Sequence, residues 1–151
     1  MLSMKDVQAV TRPVIRALIE KKFGTPIACS KFEQPGKENT YSRLDLYSRK
    51  KGIYRFIGPK DFIGPEEETL YIGTSGYRAQ GLKERVIQNF TGSSGGTLRD
   101  KLAEDRFGCN KEEAANWMLK CVSVQLVETP DDEHGELERL AIEVFEPRYK
   151  G

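Results

Sequence analysis

Apolar positions recur along the chain with two periods, and each period places an element. After Thr11, the run RPVIRALIEKKFG sets Val14, Ile15, Leu18 and Ile19 at helical spacing, behind an early proline and ahead of Gly24. That pattern predicts a helix capped at Thr11 with one core face. GIYRFI and TLYIG are β-rich runs separated by glycine, proline and charge, and read as a long-looped antiparallel hairpin. The repeated FIGPKD and FIGPEE then fall in the connection, where glycine before proline is turn chemistry.

Beyond the hairpin, GLKERVIQNF places Leu82, Val86 and Phe90 on one helical stripe, which the Ser/Gly-rich stretch after it terminates. TLRDKLAEDRF is a further short helix, and Asn110 with Glu113 predicts a capping box for KEEAANWMLK. Trp117 and Met118 on that helix read as core residues. VSVQLV alternates as a strand, and GELERLAIEVFE forms the last helix, with Leu137, Leu140, Ala141, Val144 and Phe145 as its core stripe. Between Pro26 and Lys51 the pattern is weak, with short strands readable at IACSKF and LDLY. The order of elements predicts an α+β domain with a small, mostly antiparallel sheet flanked by helices.

Composition narrows the class. Apolar residues make up 38% of the 151 positions and charged residues 31%, without an apolar run near the roughly 18–20 residues that cross a bilayer, so no membrane partner is expected. MLSMKDVQAVTR lacks the apolar centre of a secretory signal. Three cysteines, Cys29, Cys109 and Cys121, at wide spacings suit neither a disulfide framework nor a zinc site, and imply reduced thiols in a cytoplasmic protein. His134, in the acidic turn DDEHG, reads as a solvated loop residue. Net charge is only +1, yet residues 1–55 hold 12 Lys and Arg against 5 Asp and Glu, while residues 102–151 hold 6 against 12. A basic first third suits a polyanion or is simply a solvated surface.

Gly52-Ile53-Tyr54 and Tyr71-Ile72-Gly73 on adjacent strands, followed by Arg85 in LKERVIQNF and by Glu138 in LERLAIEVFEPRY, resemble the GIY-YIG nuclease family. The matching pieces run from Gly52 to about Tyr149, and GSSGGTLRDKLAED and NWMLKCVSVQLVE are similar to stand-alone bacterial and phage members. The resemblance divides the chain into an N-terminal helical and β-rich extension packed on the core, residues 1–50, and a nuclease-like domain, residues 51–151. It implies a divalent-metal-dependent endonuclease acting on DNA, with RNA as the other candidate substrate. Tyr54, Tyr71, Arg85 and Glu138 would be catalytic.

In the family picture Glu138 holds Mg²⁺ or Mn²⁺, Arg85 clamps the scissile phosphate, and the tyrosines orient the water or act as its base, Tyr54 being favoured as base. Helical wheels at about 100° per residue place Glu138 and Arg85 on the borders of their apolar stripes, where a side chain leans into a cleft while its helix stays anchored. Gly73, Thr74, Asn89, Arg99 and Lys101 are the candidate nucleic-acid contacts, while the loop from Thr91 to Gly96 reads as a flexible connector or as a source of backbone N–H groups for phosphate. The chain departs from the family pattern at Thr74, where lysine is common, and at Asn89, where tyrosine or histidine often stands. Those departures leave a catalytically weak nucleic-acid-binding or regulatory module as the alternative, with residues 1–50 as a docking or homodimer segment.

Overall fold

A computed structural model describes residues 4–33, 40–76, 81–92, 96–129 and 132–150. Helix α1 spans Met4–Lys22 and is followed by β1, Ile27–Ala28, and by short 3-10 helices at Cys29–Phe32 and Ser42–Tyr47. Strands β2, Gly52–Pro59, and β3, Glu67–Ser75, enclose a 3-10 turn at Lys60–Phe62. Then come α2 (Leu82–Thr91), α3 (Leu98–Arg106), α4 (Lys111–Cys121), β4 (Ser123–Glu128) and α5 (His134–Phe145). The four strands pair antiparallel in the order β1-β4-β2-β3, giving an α+β fold with helices on both faces of the sheet. Among the described residues, no helix is long and apolar enough to cross a membrane.

Alternation along β2 sorts its side chains between two cores. Tyr54 and Phe56 join Leu82, Val86, Phe90, Leu98, Leu102 and Met118 beneath α2, α3 and α4. Ile53 faces the opposite way and packs with Ile72, Ile19, Phe23, Ala141, Val144 and Phe145, beneath α1 and α5. Arg55 belongs to this second face: its guanidinium lies 3.8 Å from the centre of the Phe145 ring and donates to Thr69 and Gln125 at 2.8 and 3.0 Å. Register steps by one residue between Phe56 and Ile57: Phe56 pairs with Tyr71 and Ile57 with Thr69. The extra residue, Leu70, breaks the alternation of β3, so Leu70 and Tyr71 both enter the first core. Beyond α5, Arg148 and Tyr149 donate their backbone N–H groups to Thr69 and Leu70, tying the end of the described chain to β3.

Several expectations change. Helix α1 runs through Thr11 and Pro13 rather than starting there. Its buried stripe is Ile15 and Ile19, continued by Phe23, while Val14 and Leu18 are 59% and 56% exposed because α5 and the sheet cover only one narrow face. LDLY forms a 3-10 turn, and IACSKF contributes two strand residues before its own 3-10 turn. The first FIGP is not connection: it is the second half of β2, with Phe56 fully buried. Gly58 there is a packing glycine, since a Cβ would lie 2.6 Å from Leu70 Cδ1. The second FIGP does form the turn, with Gly64 at φ 68°. Finally, Cys29, Phe32 and Leu44 are fully buried in the first core, so the segment before residue 51 is part of that core as well as packed against it.

Candidate active site

Strand pairing sets the two tyrosines. Tyr54 stands opposite Gly73, and a Cβ at Gly73 would fall 2.2 Å from both Cζ and Oη of Tyr54. The glycine of YIG is therefore the space that the tyrosine of GIY occupies, and any side chain there would displace the ring. Tyr71, two pairs further along opposite Phe56, brings its ring centre to 6.3 Å from that of Tyr54, at 31° between planes. Both rings are buried, at 5% and 9% exposure.

Helix α2 supplies the next two groups. Asn89 is buried, accepts the N–H of Leu98 through Oδ1 at 2.8 Å, and donates through Nδ2 to Tyr54 Oη at 3.1 Å and to the Arg85 carbonyl at 3.0 Å. The Leu98 N–H needs an acceptor, which fixes the amide orientation and leaves only a donor for Tyr54. Tyr54 oxygen thus accepts from Asn89, and its own hydrogen is directed elsewhere. One turn before Asn89, Arg85 has a buried Nε without a hydrogen-bond partner and forms no ion pair among the described residues. Unlike Arg99 or Arg148, its charge is not spent on the fold.

Helix α5 approaches from the other face of the sheet and packs against β3 and β2. Glu138 is half-buried and makes no hydrogen bond or ion pair among the described residues. Burial raises its carboxyl above the usual range, opposed by the neighbouring His134. Burial likewise raises Tyr54; Tyr71 and Glu138 add to that rise, whereas the Asn89 hydrogen bond and Arg85 oppose it. Tyr71 is raised by burial and by Glu138, and lowered by Arg85. Tyr54 on β2 and Tyr71 on the edge strand β3 thus both feel Arg85 of α2 and Glu138 of α5, helices that pack on opposite faces of these two strands.

The other candidates divide. Gly73 lies under the Tyr54 ring, and Thr74 Oγ1 donates to the Gly52 carbonyl at 3.1 Å. Asn89 and Arg99 do not present their polar groups outward: Asn89 is spent as above, and Arg99 donates to the carbonyls of Phe90 and Gly92 and pairs with Asp100. Lys101 is half-exposed beside a shallow cleft with Glu104, Asp105, Arg148, Tyr149 and Lys150. Residues 93–95 of the Ser/Gly loop lie outside the described residues.

His134 was expected in solvent and is instead the first residue of α5, half-buried, with its ring against Gly76 at the end of β3. The sequence signal for it was its position four residues before Glu138, which puts both on one helix face.

The donor set suits a hard divalent cation only sparsely. Glu138 is an unpartnered carboxylate, but among the described residues no three His, Cys, Asp or Glu side chains converge. A cation there would draw most of its ligands from water and substrate oxygens, as Mg²⁺ commonly does.

Fold and site together define an α+β protein whose antiparallel sheet carries two neighbouring tyrosines on β2 and β3, with an arginine and a glutamate that have no ion-pair partner among the described residues. No protein-family model, curated protein or solved structure matches the chain.

Proposed function

We propose that this chain is a divalent-cation-dependent endonuclease of the GIY-YIG type, hydrolysing phosphodiester bonds of DNA. The observation that carries this reading is the pair of charged groups without a partner among the described residues, Arg85 and Glu138, beside two tyrosines that feel both charges. Buried polar groups are ordinarily satisfied, so an arginine Nε left unpaired beside a reactive constellation calls for an external acceptor. A phosphate fits the planar fork of guanidinium better than any monodentate acceptor.

The chemistry follows from these positions. Arg85 binds non-bridging phosphate oxygens and meets the charge that develops as the P–O bond to the leaving oxygen breaks. Tyr71 orients the attacking water. Tyr54 accepts its proton, and the Asn89 donor stabilises the phenolate this requires. Glu138 would hold Mg²⁺ or Mn²⁺, whose charge lowers the barrier to expelling the leaving oxygen. Packing on both faces excludes water from the tyrosine rings, which strengthens each electrostatic interaction.

The test is supercoiled plasmid incubated with Mg²⁺ or Mn²⁺, with a chelator control. Arg85→Ala and Glu138→Ala should each lower cutting by about 10²–10³-fold at matched folded fraction. Cutting that survives the loss of Glu138 overturns this site. A second reading, a nucleic-acid-binding module of weak turnover, is favoured by one observation: Asn89 is a fixed hydrogen-bond donor where a proton carrier would speed the base. Salt-sensitive DNA binding without cutting would support that second reading.

A further inference from the structure

His134 is the only histidine of the chain, and its surroundings are not those of a solvated loop. Its ring occupies the space left by Gly76: a Cβ there would lie 2.0 Å from Nε2 and 2.5 Å from Cε1. Nδ1 is buried and has no hydrogen-bond partner among the described residues. An imidazole that merely packed against a strand end would normally satisfy that nitrogen with a carbonyl, a hydroxyl or water, and here it has none of the protein's.

One helical turn later stands Glu138, also without a hydrogen-bond partner among the described residues. Side chains on a helix tilt toward its N-terminus, so the Glu138 carboxylate reaches back over the turn that carries His134. Residues at i and i+4 share one helix face, the spacing at which two histidines of a helix hold one zinc ion, and imidazole and carboxylate are both ligands of such ions.

We infer that His134 and Glu138 together bind one divalent cation, with the imidazole as second protein ligand beside the carboxylate. The inference rests on the reading of Glu138 as a cation ligand and changes what that site prefers. A lone carboxylate favours Mg²⁺; an imidazole added to it favours the borderline ions Co²⁺ and Zn²⁺, because nitrogen ligands bind these far better than magnesium. Gly76 belongs to the site as the residue that makes room for the ring.

Metal binding to the full chain tests this without any nuclease assay. Co²⁺ titration followed by visible absorption and by calorimetry should show tighter binding than Mg²⁺. His134→Ala should weaken Co²⁺ binding by about tenfold or more and leave Mg²⁺ binding nearly unchanged. Gly76→Ala, which pushes the ring aside without removing it, should weaken Co²⁺ in the same direction and guards against a folding defect peculiar to the first variant. The single histidine also gives one set of ring ¹⁵N resonances, and Zn²⁺ should shift them. Glu138→Gln separates the two readings. If it abolishes binding of both ions while His134→Ala changes neither, the second ligand is refuted and Glu138 stands as sole ligand. If Glu138→Gln binds both ions as the wild type does, the carboxylate reading falls, and this inference with it. Equal affinity for Co²⁺ and Mg²⁺ in the wild type also overturns it.

Discussion

Asn89 links the chemistry of the site to its stability. Its amide joins Tyr54, the Arg85 carbonyl and the first amide of α3. Asn89→Leu keeps the branching of the side chain but leaves the Leu98 N–H without its acceptor, which should cost about 1–3 kcal/mol in denaturant unfolding. The same change should alter the pH dependence of cutting. Burial already holds the Tyr54 hydroxyl above its usual value, so phenolate is scarce at neutral pH and the rate should climb as pH rises toward the alkaline range. Removing the donor that lowers this value raises it further, so Asn89→Leu should cut more slowly throughout that climb, with the slope displaced to higher pH. A profile identical to the wild type would remove Asn89 from the base. At this scale the sequence placed Arg85 and Glu138 at stripe borders through their helical period. It could not show that Asn89 reaches Tyr54, because a hydrogen bond across 35 positions leaves no local periodicity. His134 was misjudged because its acidic neighbours look solvated, although the spacing to Glu138 was there to be read.

Among elements, β2 shows where pattern reading stops. The repeat FIGP occurs once in a strand and once in a turn, and nothing in the four letters distinguishes them. Packing does: Phe56 contacts Tyr54 and Phe90 edge-on, at 5.7 and 6.1 Å between ring centres, whereas Phe62 is half-buried and rests on Trp117 at 5.4 Å. Phe56→Ala should therefore cost about 3–5 kcal/mol, and Phe62→Ala about 1 kcal/mol, the worth of one aromatic pair. Chemical denaturation of the two variants decides it, and equal losses would contradict this placement. Helices with a clear apolar stripe and a polar cap were legible: Asn110 caps α4 through its side-chain oxygen, as its position predicts, and Thr97 does the same for α3. The bulge that turns Leu70 and Tyr71 to one face was not legible, because it is a property of the pairing of two strands. The segments Cys29–Phe32 and Ser42–Tyr47 were not legible either, since 3-10 turns have neither of the two periods that mark helices and strands.

For the molecule as a whole, the sheet order β1-β4-β2-β3 ties the beginning of the chain to its later half. β1 pairs with β4, and Cys29 donates its backbone N–H to the carbonyl of Val122 at 2.9 Å. Phe32 and Tyr41 close over Phe90 of α2, with ring centres 6.0 Å away in each case. The family resemblance drew a boundary near residue 51, but the burial of Cys29, Phe32 and Leu44 crosses it. The three cysteines turn this arrangement into a clock. Cys109 and Cys121 are exposed, while burial removes Cys29 from solvent and pushes its thiol up, so the unreactive neutral form prevails. A maleimide should modify the first two quickly in the native protein, and Cys29 only as fast as the whole molecule opens. Mass spectrometry of timed samples gives that rate directly. If Cys29 reacts in step with global unfolding measured by tyrosine and tryptophan fluorescence, the first third and the sheet open as one cooperative unit. If it reacts faster, the chain before residue 51 detaches on its own while the paired tyrosines stay in place.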